Sequence, residues 1–367
     1  MNYNWQQPDW PRFTFETTQV EDLLFDFAQQ LGRSTGLLDA LSEKDQGEAV
    51  VELMVAEAIK TSAIENEYIS RQDVMSSIRK NLGFTTNSTP PRDLRAVGAS
   101  ELMLSVRANY AKPLSEEMLF NWHTLIMKGT KGINAGQWRM HEGPMQVVSG
   151  TIGKEKVHFE APPSQKVPEE MQRFVQWFND TAPGGALEIK KGPVRSAIAH
   201  AYFETIHPFE DGNGRMGRAI SEKALSESMG QPALISLSRT IEANRTEYYH
   251  ALMEAQSSND LTNWVTYFVQ VVVHAQTQAE ELIAFTVKKS KFFDRYKNSL
   301  NERQLRVTNR MLEEGPQGFE GGMTAKKYMT IAKTTKATAT RDLQDLVEKE
   351  VFTVSGGGRS TRYQVSL

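Results

Sequence analysis

One short stretch of the chain, from His207 to Arg218, combines residue types that suit nucleotide chemistry. It contains an imidazole that can take a proton at neutral pH, a carboxylate that can bind a metal ion, and two arginines. Gly212 and Gly214 let the backbone turn sharply and approach a ligand closely. A helix is predicted from Gly214 to Met229, and its first amides and its dipole favour an anion in the preceding turn. The stretch therefore predicts a site for a phosphate-bearing ligand.

This stretch resembles the signature of the Fic family, HPFxDGNGRxxR, and matches it at every fixed position. A match of this length is far more specific than an isolated pair of glycines. Fic proteins typically transfer a nucleotide monophosphate, usually AMP from ATP, to a hydroxyl group of a protein. The resemblance therefore implies a protein adenylyltransferase that uses ATP and modifies a Ser, Thr or Tyr hydroxyl of a target protein.

The resemblance also implies a role for each side chain of the signature. His207 is the candidate catalytic base, because a neutral imidazole can accept the proton of an attacking hydroxyl. Asp211 is the single fixed carboxylate and the predicted ligand of Mg²⁺ or Mn²⁺, whereas Glu210 is expected to face solvent. The backbone amides form a predicted anion hole, and the arginines clamp phosphate. The predicted nucleotide-binding residues of the signature are Gly212, Asn213, Gly214, Arg215, Met216, Gly217 and Arg218.

Two further features are similar to Fic proteins. Residues 145–159 alternate between apolar and polar side chains around glycines, which predicts a β-hairpin. Fic proteins have a flap at this place, which would align a segment of the target protein by strand addition. An ordinary antiparallel hairpin is the alternative. Tyr248 and Tyr249 match a tyrosine pair that contacts the nucleotide, although core aromatics would give the same pattern.

A short motif ahead of the signature resembles the inhibitory motif (S/T)xxxE(G/N) of many Fic proteins. Thr61, Glu65 and Asn66 occupy its fixed positions, as in the subclass with an N-terminal inhibitory helix. Thr61 and Glu65 share one helix face, from which Glu65 is expected to pair with Arg218. The pair would withhold Arg218 from the third phosphate of ATP, so the resemblance implies autoinhibition. A solvated glutamate near a helix end is the alternative for so short a motif.

Most of the chain has the periodicity of amphipathic helices, which predicts a mainly α-helical fold with a Fic helical-bundle core. A helix over residues 20–31 is expected to stop at Gly32. The capping-box spacing of Ser42 and Asp45 predicts another helix that continues to Ile64. Further helices are predicted near 93–110, 115–128, 168–180 and 193–206. The segment from Trp5 to Pro11 resembles an extension found before Fic cores. Its expected role is structural packing.

The pattern changes after about residue 295 to three short helices and a terminal hairpin. The helices are predicted at 301–312, from a Thr324 cap to Ala332, and from a Thr334 or Thr335 cap to Glu350, before a hairpin in 351–365. This order resembles a winged-helix domain. The sequence therefore predicts three regions, which are an N-terminal helical region (1–94), a Fic catalytic core (95–295) and a winged-helix-like domain (296–367).

The composition excludes several classes of protein. The net charge of −3 gives no general attraction to nucleic acid or anionic membranes, and the absence of cysteine excludes disulfides and thiolate metal sites. The first residues lack the features of a signal peptide, and the apolar run from Trp264 to Val273 is too short to span a bilayer. A soluble cytoplasmic protein is expected.

Three functions remain open at this point. The first is an autoinhibited protein adenylyltransferase, and the second is the same fold using another nucleotide donor or removing AMP. The third is a winged-helix regulator whose Fic core senses a ligand or acts as a scaffold. DNA binding through 296–367 would use Lys333, Lys336 and Arg341, and protein docking or a homodimer would fit the same residues. The target protein, its modified residue and self-modification are left undecided by the sequence.

Overall fold

The computed structural model describes residues 3–84, 91–149 and 156–367, and the fold is mainly α-helical, as predicted. The chain forms two compact units. The first combines Met1–Gly32 with Val50–Ala279, and the second combines Arg33–Ala49 with Glu280–Leu367. The boundaries of these units differ from the predicted region boundaries at 94/95 and 295/296, so the division into three regions stays a prediction.

The described residues contain fourteen α-helices and two antiparallel hairpins. The helices are α1 (Glu21–Asp39), α2 (Glu43–Ile64), α3 (Arg71–Asn81), α4 (Leu94–Ala108), α5 (Glu116–Ile126), α6 (Val167–Asp180), α7 (Gly192–Ile206), α8 (Asn213–Met229), α9 (Leu237–Ala243), α10 (Arg245–Ala255), α11 (Thr262–Tyr296), α12 (Glu302–Leu312), α13 (Ala325–Ala332) and α14 (Lys336–Glu348). The strands are β1 (Gln146–Ser149), β2 (Lys156–Glu160), β3 (Phe352–Ser355) and β4 (Arg362–Val365). Within the described ranges, no helix combines the length and apolar character that crossing a membrane requires.

Side-chain caps begin several helices where the sequence predicted them. The Ser42 hydroxyl accepts a hydrogen bond from the amide of Asp45 at 3.2 Å, and the Thr324 hydroxyl accepts one from Lys327 at 3.2 Å. The prediction that the first helix stops at Gly32 is wrong, because α1 continues to Asp39. A glycine inside a helix lowers the stability of that helix by only about 1 kcal/mol relative to alanine. A glycine marks the end of a helix where its backbone is left-handed.

Helices α7 and α8 hold the signature at the centre of the first unit. Every residue of α7 is buried, whereas the amphipathic periodicity of the chain predicts one buried face for a helix. The surrounding core includes Trp122 of α5 and Phe174 of α6. A helix that is buried on all sides has little freedom to shift, so α7 is a rigid support for the residue at its end.

The N-terminal segment packs on this core, as expected. The indole of Trp10 donates to a carboxylate oxygen of Glu170 at 2.9 Å, and its ring centroid lies 5.2 Å from that of Tyr202. The Trp5 indole donates to the carbonyl of Glu160 at the end of β2 at 2.7 Å. The segment therefore supports both α7 and the hairpin.

The predicted hairpin at 145–159 is present as β1 and β2. Gln146 lies opposite Glu160 and Ser149 opposite Lys156, with a register shift between Val147 and Val148. The predicted tip, which includes both glycines of this stretch, lies outside the described residues. In the second unit, α12, α13 and α14 precede the antiparallel strands β3 and β4, which is the predicted order.

Candidate active site

His207 lies immediately after α7 in a left-handed conformation, with φ 50° and ψ 58°. A left-handed backbone is uncommon for residues other than glycine and must be held by its surroundings. Arg139 supplies much of this support, because its Nε donates to the carbonyl of His207 at 2.7 Å and its amide donates to that of Pro208 at 2.9 Å. Arg139 is buried, and the sequence provided no signal for its role.

The turn after His207 is held by side-chain bonds to its backbone. Asn213 accepts a hydrogen bond from the amide of Phe209 and donates one to its carbonyl, both at 2.9 Å. His123 stacks on the Phe209 ring at 3.9 Å and bonds the Asp211 carbonyl through Nε2 at 3.1 Å. Gly212 has a φ of 79°, which a residue with a side chain adopts only with strain. The turn is therefore preorganised at the N-terminus of α8.

Asp211 is the half-exposed carboxylate of this turn. Its Oδ1 accepts a hydrogen bond from the amide of Gly212 at 2.6 Å, and its side chain is 48% exposed. In the part of the chain that the structure describes, no three His, Asp or Glu side chains are grouped so as to hold a metal ion. A single carboxylate still fits Mg²⁺ that takes its remaining ligands from phosphate oxygens and water. Glu210 is partly buried and accepts hydrogen bonds from Asn134 at 3.1 and 3.2 Å.

The two arginines of the signature are almost fully buried. Arg215 donates through Nη1 to Glu67 at 2.7 Å, and Arg218 donates through Nε to the Thr61 hydroxyl at 2.8 Å. Within the described residues, Nε and Nη2 of Arg215 and Nη1 of Arg218 are buried without a hydrogen-bond partner. Buried N–H groups without partners are costly, so these donors are suited to an anionic ligand. Met216, between them, belongs to the hydrophobic core.

The motif at the end of α2 contacts Arg218, and Glu67, the residue that follows the motif, contacts Arg215. Glu65 Oε1 accepts a hydrogen bond from Arg218 Nη2 at 2.8 Å, and the Thr61 carbonyl accepts one from the same nitrogen at 3.0 Å. A Cβ atom on Gly214 would lie 2.3 Å from Glu65 Oε1, so the carboxylate is close against the first turn of α8. Asn66 is left-handed, with φ 61°, and its side-chain oxygen accepts from Arg245 at 3.3 Å. The contact of Glu67 with Arg215 was not anticipated from the sequence.

The two tyrosines differ in their surroundings. Tyr248 is buried, and its hydroxyl lies 2.8 Å from Nε2 of His200, whose Nδ1 lies 3.0 Å from the Ser221 hydroxyl on α8. Burial raises the pKa of Tyr248 and lowers that of His200 to about 3. Tyr249 is 41% exposed. Tyr248 therefore supports α8 from within the core, and Tyr249 has a ring edge or face open to a ligand.

The electrostatics of the site suit a neutral base. Burial lowers the pKa of His207 to about 4, so its imidazole is uncharged at neutral pH. Its Nδ1 lies 3.3 Å from the carbonyl oxygen of Glu204, which can only accept a hydrogen bond. The proton therefore belongs on Nδ1, and Nε2 is left free to take another.

Sequence comparisons match two parts of the chain. A family model described as the Fic/DOC family matches residues 113–225, and one described as a domain of unknown function, DUF4172, matches residues 3–84. A probable protein adenylyltransferase of Aquifex aeolicus is 35% identical over 98 residues, which are 27% of this chain and 27% of that protein. A protein adenylyltransferase of Caenorhabditis elegans is 31% identical over 117 residues, which are 32% of this chain and 20% of that protein. The matches thus span about a quarter or less of these relatives.

Solved structures of similar fold include that of a bacterial protein. A Fic family protein from Desulfovibrio desulfuricans is similar over 97% of this chain and 98% of that one, with a TM-score of 0.56 and 22% identity. At this identity the likeness concerns the fold alone.

Proposed function

This chain belongs to the Fic family, and on that premise we propose that it is a protein adenylyltransferase that transfers AMP from ATP to a protein hydroxyl. The observation that carries the proposal is that three buried donors of Arg215 and Arg218 have no hydrogen-bond partner among the described residues, although Nη2 of Arg215 lies 3.8 Å from Oδ2 of Asp211. They lie on the first turns of α8, where the amides and the helix dipole also favour phosphate. His207 lies across the turn from them, with Nε2 free.

The reaction follows from this arrangement. The hydroxyl of a target Ser, Thr or Tyr attacks the α-phosphorus of ATP, and a new O–P bond forms. The bond from that phosphorus to the pyrophosphate oxygen breaks, and the hydroxyl proton passes to Nε2 of His207. Arg215, Arg218 and the amides from Gly212 to Gly214 stabilise the charge on the phosphates. Asp211 would hold Mg²⁺ or Mn²⁺, which neutralises charge on the leaving pyrophosphate when bound.

The hairpin of β1 and β2 is the proposed docking place for the target protein. Val148 and Val157 face each other across the two strands and are exposed. A target segment that adds as a further strand would be held by its backbone, which leaves its hydroxyl side chain free to react.

Glu65 is the proposed inhibitory residue, together with Thr61 and Asn66. Its carboxylate occupies Arg218 and lies against Gly214, so it competes with a phosphate for both. Bound ATP would then be held without Arg218 on its third phosphate, in a position unsuited to in-line attack. Glu67 blocks Arg215 in the same way.

The identity of the nucleotide donor is tested by incubating the full chain, with the substitution Glu65→Gly, with Mg²⁺ and a cell lysate. Adding the chain is expected to increase protein label from ATP labelled at the α-phosphate. It should not increase the label from the γ-phosphate that kinases of the lysate incorporate, because pyrophosphate leaves. Mass spectrometry then locates the added AMP on the target or on this chain. Label from the γ-phosphate that increases when the chain is added, or label from another nucleotide in preference to ATP, would contradict the proposal.

We propose DNA binding as a second function, through the exposed face of α14. Lys336, Thr340, Arg341 and Gln344 are exposed on this helix. Its two central acidic residues are neutralised by neighbours, because Asp342 pairs with Arg303 at 2.8 Å and Asp345 with Lys349 at 2.6 Å. The exposed face is therefore basic and polar from Lys336 to Gln344, whereas Glu348 is exposed at its C-terminal end. The basic part is complementary to the phosphates and base edges of duplex DNA.

The DNA proposal predicts salt-dependent binding by the full chain. Fluorescence anisotropy of a labelled duplex should rise at low salt, and Lys336→Glu with Arg341→Glu should weaken binding at least about tenfold and flatten the salt dependence. Lys297→Glu, an exposed lysine outside α14, is the matched control. If DNA binding is absent at low salt, or if Lys297→Glu weakens it equally, the DNA proposal is wrong. A protein partner would then be the candidate ligand of this face.

A further inference from the structure

Glu204 is a buried carboxyl group between the two helices of the signature. It lies on α7 one turn before His207, and its side chain is only 5% exposed. Within the described part of the chain, its Oε1 is buried and has no hydrogen-bond partner. A buried carboxyl oxygen without a partner is costly and calls for a functional or structural reason.

The side chain of Glu204 is next to the candidate base. Its Oε2 lies 3.7 Å from Nδ1 of His207, on the same nitrogen that faces the Glu204 carbonyl. An ionised carboxylate here would stabilise a positive charge on the imidazole, whereas a protonated one would not. The ionisation state of Glu204 therefore bears on how well His207 accepts a proton.

The same carboxyl group reaches the second helix. A Cβ atom on Gly217 would lie 2.3 Å from Glu204 Oε1, so the glycine makes room for this group between α7 and α8. The next residue, Arg218, carries a buried charge whose attraction lowers the pKa of Glu204. Glu204 thus touches the element that binds phosphate as well as the base.

We infer that Glu204 is a positioning residue that couples the Glu65–Arg218 ion pair to His207. While Glu65 neutralises Arg218, Glu204 stays protonated. Once Glu65 withdraws, Glu204 releases its proton to solvent, becomes the counter-charge of Arg218 and presents a carboxylate to Nδ1 of His207. The inference rests on the proposed function, because it gives the release of inhibition a direct effect on the base.

The charges around Glu204 favour this exchange. Burial raises its pKa to about 8, Arg218 opposes that rise, and the negative charge of Glu65 adds to it. The other titratable groups that it influences are His207 on its own segment and Tyr248 and Tyr249 on α10, and both tyrosines stay neutral. Removing Glu65 takes away a repulsive charge and leaves Arg218 without its carboxylate, so both changes lower the pKa of Glu204.

The test measures the pKa of His207 by nitrogen NMR in the full chain with labelled histidine and without nucleotide. In the Glu65→Gly background, Glu204→Gln should lower the pKa of His207 by about 1 unit or more, because it removes the adjacent carboxylate. With Glu65 present, the same substitution should leave that pKa nearly unchanged. The signal of His207 is identified by its loss in His207→Ala.

Glu170→Gln, which alters a buried carboxyl group on α6, is the matched control and should shift neither value. Equal effects of Glu204→Gln in the two backgrounds, or no effect in either, would overturn the inference. If the Glu204 variant melts at an unchanged temperature and still shifts the pKa only without Glu65, a purely structural role is excluded. Because no nucleotide is present, the result stands even if adenylyl transfer is never detected.

Discussion

Replacing Glu65 with glycine is expected to raise AMP transfer by at least about tenfold, because a contact of about 1.4 kcal/mol or more is removed from the resting state. Arg218 is buried and keeps its bonds to Thr61, so its guanidinium stays in place when the carboxylate is gone. The first turn of α8, which Glu65 Oε1 approaches at Gly214, becomes open to phosphate. The measurement is the initial rate of α-phosphate incorporation at saturating ATP and Mg²⁺.

A matched control separates the loss of inhibition from a general loosening of α2. Glu242→Gln removes another ion pair of this helix, the 2.9 Å contact with Lys60, without touching the signature. It should leave the rate at the wild-type level. Glu67→Gln should give a smaller increase than Glu65→Gly, because it frees Arg215 but leaves Arg218 occupied. An unchanged rate of α-phosphate incorporation by a correctly folded Glu65→Gly chain would show that the Glu65–Arg218 ion pair does not inhibit the reaction.

Replacing His207 with alanine in the Glu65→Gly background should lower the transfer rate by roughly 10²- to 10⁴-fold, the usual contribution of a general base. The proton of the attacking hydroxyl then has no acceptor at the site. Binding of ATP should change little, because the donors of Arg215 and Arg218 and the amides of the turn remain. Calorimetric titration with ATP and Mg²⁺ measures the binding separately from the rate.

His274→Ala, an exposed histidine on α11, is the control for this substitution and should not alter the rate. If His207→Ala lost ATP binding and activity together, the imidazole would be a ligand of the nucleotide instead of a base. A His207→Ala chain that is fully active would remove the proposed mechanism altogether.

Local signals predicted much of the secondary structure because they act over a few residues. Caps such as Ser42 and Thr324 satisfy nearby amides, and their positions can be predicted from spacing alone. Gly32 misled the prediction because glycine is compatible with both a helix and its end, and only the rest of the fold selects between them. The burial of α7 on every side was equally inaccessible, since periodicity identifies a favoured face and not the number of neighbours.

The sequence by itself determined the identity and order of the groups from His207 to Arg218, because they are contiguous and their turn and helix are locally encoded. It also indicated the partner of Arg218 through a short motif at Glu65. Only the tertiary structure decided which residues contact the other groups of this stretch. Glu67 reaches Arg215 across 148 positions and Arg139 reaches the His207 carbonyl across 68. Such contacts depend on how distant helices pack, and no local pattern of residues encodes that packing.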